Sequence, residues 1–357
     1  MPVIQITHER SAREDNRCSR ARLAWRETTT LNRRQFLAGA FAVPALSCVV
    51  RRRDGVSAAR ATERLGASTA CLAGLTLLEA LEQLHQLGFG TVEIIAYTGA
   101  RHSVGEIPGW SFHDASPRER ELAFQATRAF RHISAHLPFQ DMQLFSSNAA
   151  ERDAGVRRLK TALDGLAYLR GELAVMHIGW PESGKSFRDI WRPMMDTLRA
   201  LGDYAADRGL ALGIETMQPD SVRDYTELVF AVDHPRVGAV IDTGHIRGSS
   251  DIGIPADRRD SEEARARFND VLDTLVNGLG EKVFHLHLSD VRPVDWVDHR
   301  TIGTGIIDFE RLFRTLRRIG YDRLLVLELE EPDRVGALTA SKTYVERLLT
   351  SAGSGGT

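Results

Sequence analysis

The amino-acid sequence predicts an α/β fold with a single (β/α)8 TIM barrel over residues 61–350. From about residue 64 onward, short apolar runs alternate with longer amphipathic segments, and this pair recurs eight times over about 290 residues. The first apolar run is followed by "CLAG", not by the glycine-rich phosphate turn typical of a doubly wound open sheet. A closed barrel is therefore favoured over an open sheet.

Each strand is predicted from a short apolar run bounded by polar or turn-forming residues. These runs lie at 64–70, 91–97, 132–139, 172–180, 210–216, 236–245, 282–290 and 323–330. Helices are predicted from the amphipathic segments at 76–88, 116–130, 149–170, 186–208, 221–232, 262–279, 308–319 and 337–350. The first helix ends at Gly88, and the second has Ser116 as its N-cap and Pro117 in its first turn. Residues 351–357 are predicted to form a flexible tail.

Residues 1–60 differ in composition and are predicted to be a leader. They contain twelve arginines against five acidic residues, a net charge of +7, whereas the rest of the chain has a net charge of −9. Arg33 and Arg34 precede an apolar run over 37–50, and this arrangement resembles a twin-arginine export signal. The run is short for a transmembrane span. We therefore expect a periplasmic or otherwise extracytoplasmic protein that contacts the twin-arginine translocase during export; the alternative is a disordered leader with a chance arginine pair.

Charge and cysteine content narrow the class of protein further. The folded part is acidic, which counts against a nucleic-acid partner because phosphates require a basic surface. Cys71 is the one cysteine beyond the leader and the apolar run, so we expect no disulfide within the folded part. This is compatible with twin-arginine export, which carries chains already folded in the cytoplasm. The sequence leaves open whether the protein forms a homo-oligomer.

Polar side chains recur at one level of the predicted barrel, near the carboxyl ends of the strands. They are Glu93, His136, His177, Glu215, Asp242, His245, His287 and Glu328. These strand ends meet at one face of a TIM barrel, the face that carries active sites. Carboxylates and imidazoles gathered there would repel one another or lack partners unless a cation lay between them. Mixed oxygen and nitrogen ligands suit Mn²⁺, Co²⁺, Zn²⁺ or Mg²⁺, so the predicted cofactor is one divalent metal ion.

The segment "VFHLHLSD" carries two histidines on one predicted strand. Alternation places His285 and His287 on the same face and Phe284 on the other. His287 lies nearer the carboxyl end of the strand and is the predicted ligand. His285 lies about 6.6 Å deeper and is predicted to be a supporting core histidine.

The motifs "LGIET", "AVIDTGH", "HLHLSD", "IGTGIIDFERLF" and "LLVLELEEP" resemble those of the sugar phosphate isomerases/epimerases. These are xylose-isomerase-like TIM barrels, a superfamily that also holds endonuclease IV, and the resemblance covers about residues 64–350. It implies one divalent ion held by Glu215, Asp242, His287 and Glu328. It also implies that Glu215 and Glu328 act as the acid and base that exchange a proton on the carbon beside a carbonyl, and that His245 contacts the substrate.

This implied chemistry agrees with the residue types. Abstraction of a proton beside a carbonyl needs a base on the C–H and a Lewis acid on the oxygen. The remaining residues that we predict to contact the substrate are His136, His177, Glu93, Trp180, Arg247 and His299. Trp180 and Trp110 lie in loops after strands, where they would either stack on a sugar ring or pack as ordinary loop residues. Because phosphorylated sugars are scarce outside the cytoplasm, the expected substrate is a sugar, keto-sugar or polyol derivative.

Three alternatives to an isomerase or epimerase stay open. A sugar or cyclitol dehydratase would use the same metal and proton abstraction, followed by loss of a β-hydroxyl. A non-catalytic exported sugar-binding barrel would not need an intact set of ligands. An endonuclease IV-like phosphodiesterase would gather three zinc ions, and His136, His177 and His299 fall where three of the additional ligands would lie. In that comparison a further aspartate ligand is replaced by Val297, with Asp298 adjacent but out of register.

Overall fold

The computed structural model describes residues 62–140 and 142–351. Within these residues, eight parallel strands close into a barrel, which confirms the predicted TIM barrel. The strands are β1 Leu65–Ser68, β2 Thr91–Ile95, β3 His132–His136, β4 Leu173–Met176, β5 Ala211–Glu215, β6 Val237–Asp242, β7 Val283–Leu288 and β8 Leu324–Leu327. Each strand pairs with the next along the chain, and β8 pairs with β1 to close the ring.

A helix follows each strand, as the amphipathic segments predict. The helices are α1 Leu77–Gln86, α2 Pro117–Thr127, α3 Ala149–Tyr168, α4 Trp191–Ala206, α5 Val222–Val232, α6 Glu262–Leu279, α7 Phe309–Arg318 and α8 Arg334–Thr350. Ser116 caps α2 and forms a capping box with Glu119, so the predicted N-cap is confirmed. Helix α4 begins at Trp191, later than predicted, because Asp189 accepts hydrogen bonds from the backbone and hydroxyl of Ser186 and forms a local turn.

The β6–β7 pairing contains an irregularity that the sequence did not reveal. Val283 pairs with Ala239 and His285 pairs with Val240, so Phe284 is an extra residue at a β-bulge. Phe284 packs with Val240 and with apolar residues of β4 and β5, whereas strict alternation predicted that it would lie on the face opposite His285. The bulge overrides that alternation.

Two glycines make room for this apolar layer. A Cβ atom on Gly238 would lie 2.4 Å from the ring of Phe284, and one on Gly213 would lie 2.3 Å from a methyl group of Val240. Both distances are shorter than any normal contact, so larger residues at these positions would displace the layer. This apolar layer lies inside the barrel, below the polar side chains that lie nearer the carboxyl ends of the strands.

Several predictions concern residues outside the described part of the chain. These are the leader over 1–60, its Arg33-Arg34 pair, the apolar run over 37–50 and residues 352–357 of the tail. The export signal therefore stays a prediction. Among the described residues, no helix is both long enough and apolar enough to cross a membrane.

Candidate active site

The four side chains predicted to hold a metal ion come together at the carboxyl ends of neighbouring strands. Glu215 and Asp242 are the last residues of β5 and β6, His287 precedes the last residue of β7, and Glu328 follows β8 directly. All four are buried, and one possible ligand atom from each lies within 4.8 Å of those of the other three. We call these four residues the ligand group.

His287 lies at the centre of the ligand group. Its Nδ1 is 2.8 Å from Glu215 Oε1, 2.9 Å from Glu328 Oε2 and 3.9 Å from Asp242 Oδ2. Burial by itself would lower the pKa of His287, but the charges of the surrounding carboxylates outweigh burial and raise the pKa well above its usual value. In return, the charge of His287 overcomes the effect of burial on Glu328 and lowers the pKa of that carboxyl to about 2.

Asp242 presents one oxygen that has no hydrogen-bond partner in the part of the chain that the structure describes. Its Oδ1 accepts hydrogen bonds from the backbone N–H groups of Gly244, at 2.6 Å, and His245, at 2.9 Å. Its Oδ2 is buried without a hydrogen-bond partner among the described residues, and burial raises the pKa of this carboxyl. A buried carboxylate oxygen is costly to leave unpaired. Together with the two glutamates and the imidazole of the ligand group, this oxygen forms a donor set that fits a divalent cation.

Glu215 divides its two oxygens between different partners. Oε1 faces His287, while Oε2 lies 3.1 Å from His136 Nε2 and 3.0 Å from His177 Nε2. Although burial raises the pKa of Glu215, the charges of His287 and His177 lower it well below its usual value. Burial lowers the pKa of His136, but its hydrogen bond with Glu215 prevails and raises the pKa to about 9. His136 and His177 thus hold the carboxylate, and their predicted contact with a substrate stays a prediction.

Asp242, His245 and His299 form another possible ligand set, and His245 Nδ1 also lies 3.6 Å from Glu215 Oε1. The rings of His245 and His299 meet edge to face, 5.5 Å apart. His245 Nδ1 is 2.9 Å from the carbonyl oxygen of Thr216, and His299 Nδ1 is 3.1 Å from that of Glu328. Burial lowers the pKa of His299, but the charges of Asp242 and Glu328 outweigh burial and raise it to about 9.

Arg247, predicted to contact the substrate, is engaged by a protein carboxylate. Its Nε donates to Asp298 Oδ2 at 2.5 Å. Asp298 is the neighbour of His299, so this ion pair ties the turn after β6 to the loop after β7. Arg247 keeps nearly half of its side-chain surface exposed, and its contact with a substrate stays a prediction.

The loop after β7, residues 289–308, is organised by Asp290, a residue whose role the sequence reasoning missed. Asp290 Oδ1 accepts hydrogen bonds from the backbone of Val291 and Ile307, and Oδ2 accepts from the backbone of Gly303 and Gly305, at 2.8 to 3.1 Å. This carboxylate therefore fixes both ends of the segment that carries His299. The sequence feature that could have revealed this role is the aspartate of "SD" at the end of the strand, followed further on by the glycines of "IGTG". These motifs were used only for the family resemblance.

The structure separates the residues predicted to contact a substrate by their exposure. Trp180, in the loop after β4, is 69% exposed, whereas Trp110 is 8% exposed and packs edge-on against Phe112. Trp110 is therefore a packing residue. Glu93 has no exposed surface, and His285 and His287 surround its carboxylate, so its predicted contact with a substrate stays a prediction.

Comparison with known proteins agrees with this architecture. In structure, the chain is similar to a D-tagatose 3-epimerase-like protein, with a TM-score of 0.62 and 23% identity over 81% of this chain and 99% of the other. At this level of identity the similarity shows the fold alone.

Two curated proteins are similar in sequence. An uncharacterised protein of Methanocaldococcus jannaschii is 27% identical over 247 residues, which are 66% of this chain and 77% of that protein. An inosose dehydratase of Geobacillus thermodenitrificans is 26% identical over 150 residues, 40% of this chain and 47% of the dehydratase.

A family model described as xylose isomerase-like TIM barrel matches residues 81–348, well over half of the chain. This range contains every member of the ligand group. The chain therefore belongs to the xylose isomerase-like TIM barrel family.

Proposed function

We propose that the protein is a divalent-metal-dependent isomerase or epimerase that acts on a sugar, keto-sugar or polyol derivative by proton transfer through an enediolate. The observation that carries this proposal is the ligand group, in which the unpaired Oδ2 of Asp242 faces two more carboxylates and an imidazole. One similar structure is named a D-tagatose 3-epimerase-like protein, and this name is consistent with a sugar as the substrate.

The ligand group would hold the metal ion, which supplies a Lewis acid for the substrate oxygen. Glu215 ends β5 and Glu328 follows β8, and the two strands between them, β6 and β7, carry the other two members of the ligand group. We assign Glu215 and Glu328 as the groups that remove and return the proton on carbon. His136 and His177 fix Glu215 Oε2, so its Oε1 is the oxygen turned to the centre of the site. A carboxylate must be unprotonated to accept the proton from carbon, and the carboxylic acid formed in this way can return a proton to carbon.

His245 is proposed to orient the substrate. Its Nδ1 lies at hydrogen-bonding distance from the carbonyl oxygen of Thr216, so this nitrogen carries the proton in the neutral ring. The remaining nitrogen, Nε2, is then an acceptor for a substrate hydroxyl group. The ring of His299 lies beside that of His245 and is a second imidazole on the same side of the site.

A dehydratase is the second candidate function, favoured by the sequence similarity to an inosose dehydratase. The proton abstraction is shared, and the reactions differ in whether a β-hydroxyl group then leaves. Mass spectrometry separates them: an epimerase or isomerase product has the mass of its substrate, whereas the product of a dehydratase has lost one water.

The first experiment is a measurement of bound metal per chain on the full-length protein by elemental mass spectrometry. We expect about one ion per chain, lost in a Glu215→Gln variant and retained in Glu227→Gln, an exposed carboxyl on α5 that pairs with Arg188. Keto-sugars are then screened for deuterium uptake from solvent. Three zinc ions per chain would instead favour a phosphodiesterase, with His136, His177, His245 and His299 as further ligands. No bound metal after reconstitution with Mn²⁺ or Co²⁺ would exclude the proposed mechanism.

We further propose that the protein works outside the cytoplasm, on the basis of the Arg33-Arg34 pair and the apolar run behind it. Cell fractionation of the wild type and of a variant with both arginines replaced by lysine tests this proposal. Export of the wild type and retention of the variant are expected. Equal cytoplasmic retention of both would contradict it.

A further inference from the structure

Glu93 is a fully buried carboxylate that the proposed reaction does not use. It lies in the middle of β2, inside the barrel, and three side chains surround it. Ser134 Oγ donates to its Oε2 at 2.9 Å, His285 Nε2 lies 3.1 Å from Oε2, and His287 Nε2 lies 2.9 Å from Oε1. A carboxylate without any exposed surface costs several kcal/mol of desolvation, on the order of magnitude known for buried ions. Its presence therefore calls for a specific role.

The two nitrogens of His287 face different groups. Nδ1 faces the carboxylates of the ligand group, and Nε2 faces Glu93. A neutral imidazole carries its proton on one nitrogen and a lone pair on the other, and only the lone pair can bind a metal ion. The group beside one nitrogen therefore decides which nitrogen is free to act as ligand.

We propose that Glu93 is a positioning residue that holds the proton of His287 on Nε2 and so presents the lone pair of Nδ1 to the metal ion. This inference rests on the proposed metal-dependent function. His287 Nε2 and Glu93 Oε1 lie 2.9 Å apart without the alignment of a hydrogen bond, and neither atom has a hydrogen-bond partner among the described residues, so each is free to pair with the other. Carboxylates that accept the second N–H of a metal-bound histidine both orient the ring and strengthen it as a ligand.

Ser134 and His285 explain how Glu93 keeps its orientation. Both contact Oε2, which leaves Oε1 for His287. His285 Nδ1 has no partner among the described residues, so its proton resides on Nε2 and is donated to Glu93. The two histidines on one face of β7 thus have different functions: His287 belongs to the ligand group, and His285 supports the carboxylate behind it.

The test is a comparison of metal affinity between the wild type and a Glu93→Gln variant, with Co²⁺ as the probe. We expect the variant to bind Co²⁺ about 10- to 100-fold more weakly, the range seen when such supporting groups are removed. Ser134→Ala is the matched control, since it removes a hydrogen bond to Oε2 and leaves Oε1 in place; a change below about threefold is expected. If Glu93→Gln fails to fold, as judged by thermal unfolding, Glu93→Asp takes its place, because it keeps the charge but withdraws it from Nε2.

A spectroscopic readout separates positioning from a general structural effect. In the zinc-loaded protein labelled with ¹⁵N-histidine, His287 should show a proton on Nε2 at low field, and this resonance should move upfield in Glu93→Gln and stay in place in Ser134→Ala. Unchanged affinity and an unmoved resonance in Glu93→Gln would overturn the inference while the proposed function stands. Failure of the wild type to bind any metal would overturn both.

Discussion

His136 and Glu215 face each other across the mouth of the barrel, with Nε2 of the histidine 3.1 Å from Oε2 of the glutamate. His177 contacts the same oxygen at 3.0 Å, so two imidazoles from β3 and the end of β4 hold one edge of this carboxylate. The other oxygen of Glu215, Oε1, faces His287 and the rest of the ligand group. A carboxylate held in this way cannot rotate freely, which is a requirement for precise transfer of a proton to or from carbon.

Replacement of Glu328 by glutamine is expected to lower the rate of solvent deuterium exchange into a substrate by about 10² to 10⁴-fold, because an amide cannot accept the proton. The exchange rate, measured by mass spectrometry at saturating metal, checks this prediction. Glu330→Gln is the control, since Glu330 pairs with His102 and lies outside the ligand group. Equal losses in both variants would indicate a general disturbance of the loop after β8 and would contradict the assigned role of Glu328.

Metal binding is expected to become tighter as the pH rises. His287 must lose a proton before Nδ1 can bind a cation, and although burial lowers its pKa, the charges of Glu93, Glu215 and Glu328 raise it well above 6.5. The apparent association constant should therefore increase about tenfold per pH unit below that raised pKa. Calorimetry in buffers of different ionisation enthalpy should report release of about one proton per ion. Binding without proton release would contradict this account.

The same proton affects the stability of the metal-free protein. Because the pKa of His287 is higher in the folded than in the unfolded state, the protonated ring stabilises the fold. This contribution is fully present below about pH 6.5, the unfolded value, and is lost as the pH rises through the folded-state pKa. Chemical unfolding of chelator-treated protein across this range checks the sign. The wild type loaded with metal should unfold at a higher temperature than the metal-free form.

Trp180→Ala is expected to raise KM several-fold and to leave kcat nearly unchanged, because an exposed indole beside the mouth would bind the substrate equally well before and during the reaction. Steady-state kinetics measure the two constants separately. Phe230→Ala, which removes an exposed aromatic ring from α5, is the control. A loss confined to kcat would assign Trp180 to the chemical step and contradict a binding role.

Asp290→Asn is expected to destabilise the protein by about 2 to 4 kcal/mol, because an amide cannot accept all four backbone hydrogen bonds that the carboxylate accepts. Urea denaturation gives the free energy of unfolding. Asp295→Asn lies in the same loop and removes an exposed ion pair with Arg292, while the amide oxygen can still accept the hydrogen bond from the backbone of Val297, so its cost should stay below about 1 kcal/mol. Similar values for the two variants would contradict the role of Asp290 in holding the loop.

The sequence predicted the barrel and the polar layer at the strand ends because both depend on position along a strand, whereas the choice of the four residues of the ligand group was implied by the family resemblance. Once β5 to β8 are located, the side chains at their carboxyl ends must meet, and Glu215, Asp242, His287 and Glu328 do so. The surroundings of Glu93 could not be predicted, because its place on a strand does not reveal how deep it lies in the barrel, where His285 and Ser134 contact its carboxylate. Phe284 was misplaced because a β-bulge shifts the alternation by one residue and leaves no mark in the residue types.

Because of the four hydrogen bonds to Asp290, the loops at the entrance of the barrel differ in how firmly they are held. The segment that carries His299 is anchored at both ends and behaves as a fixed wall, whereas Trp180 extends from the loop after β4 with most of its surface in solvent. Under the proposed function, a change of substrate selectivity should therefore be sought at exposed positions after β4, such as Trp180, with the segment from Asp290 to Ile307 left untouched. Substitutions at these exposed positions leave His177 in contact with Glu215.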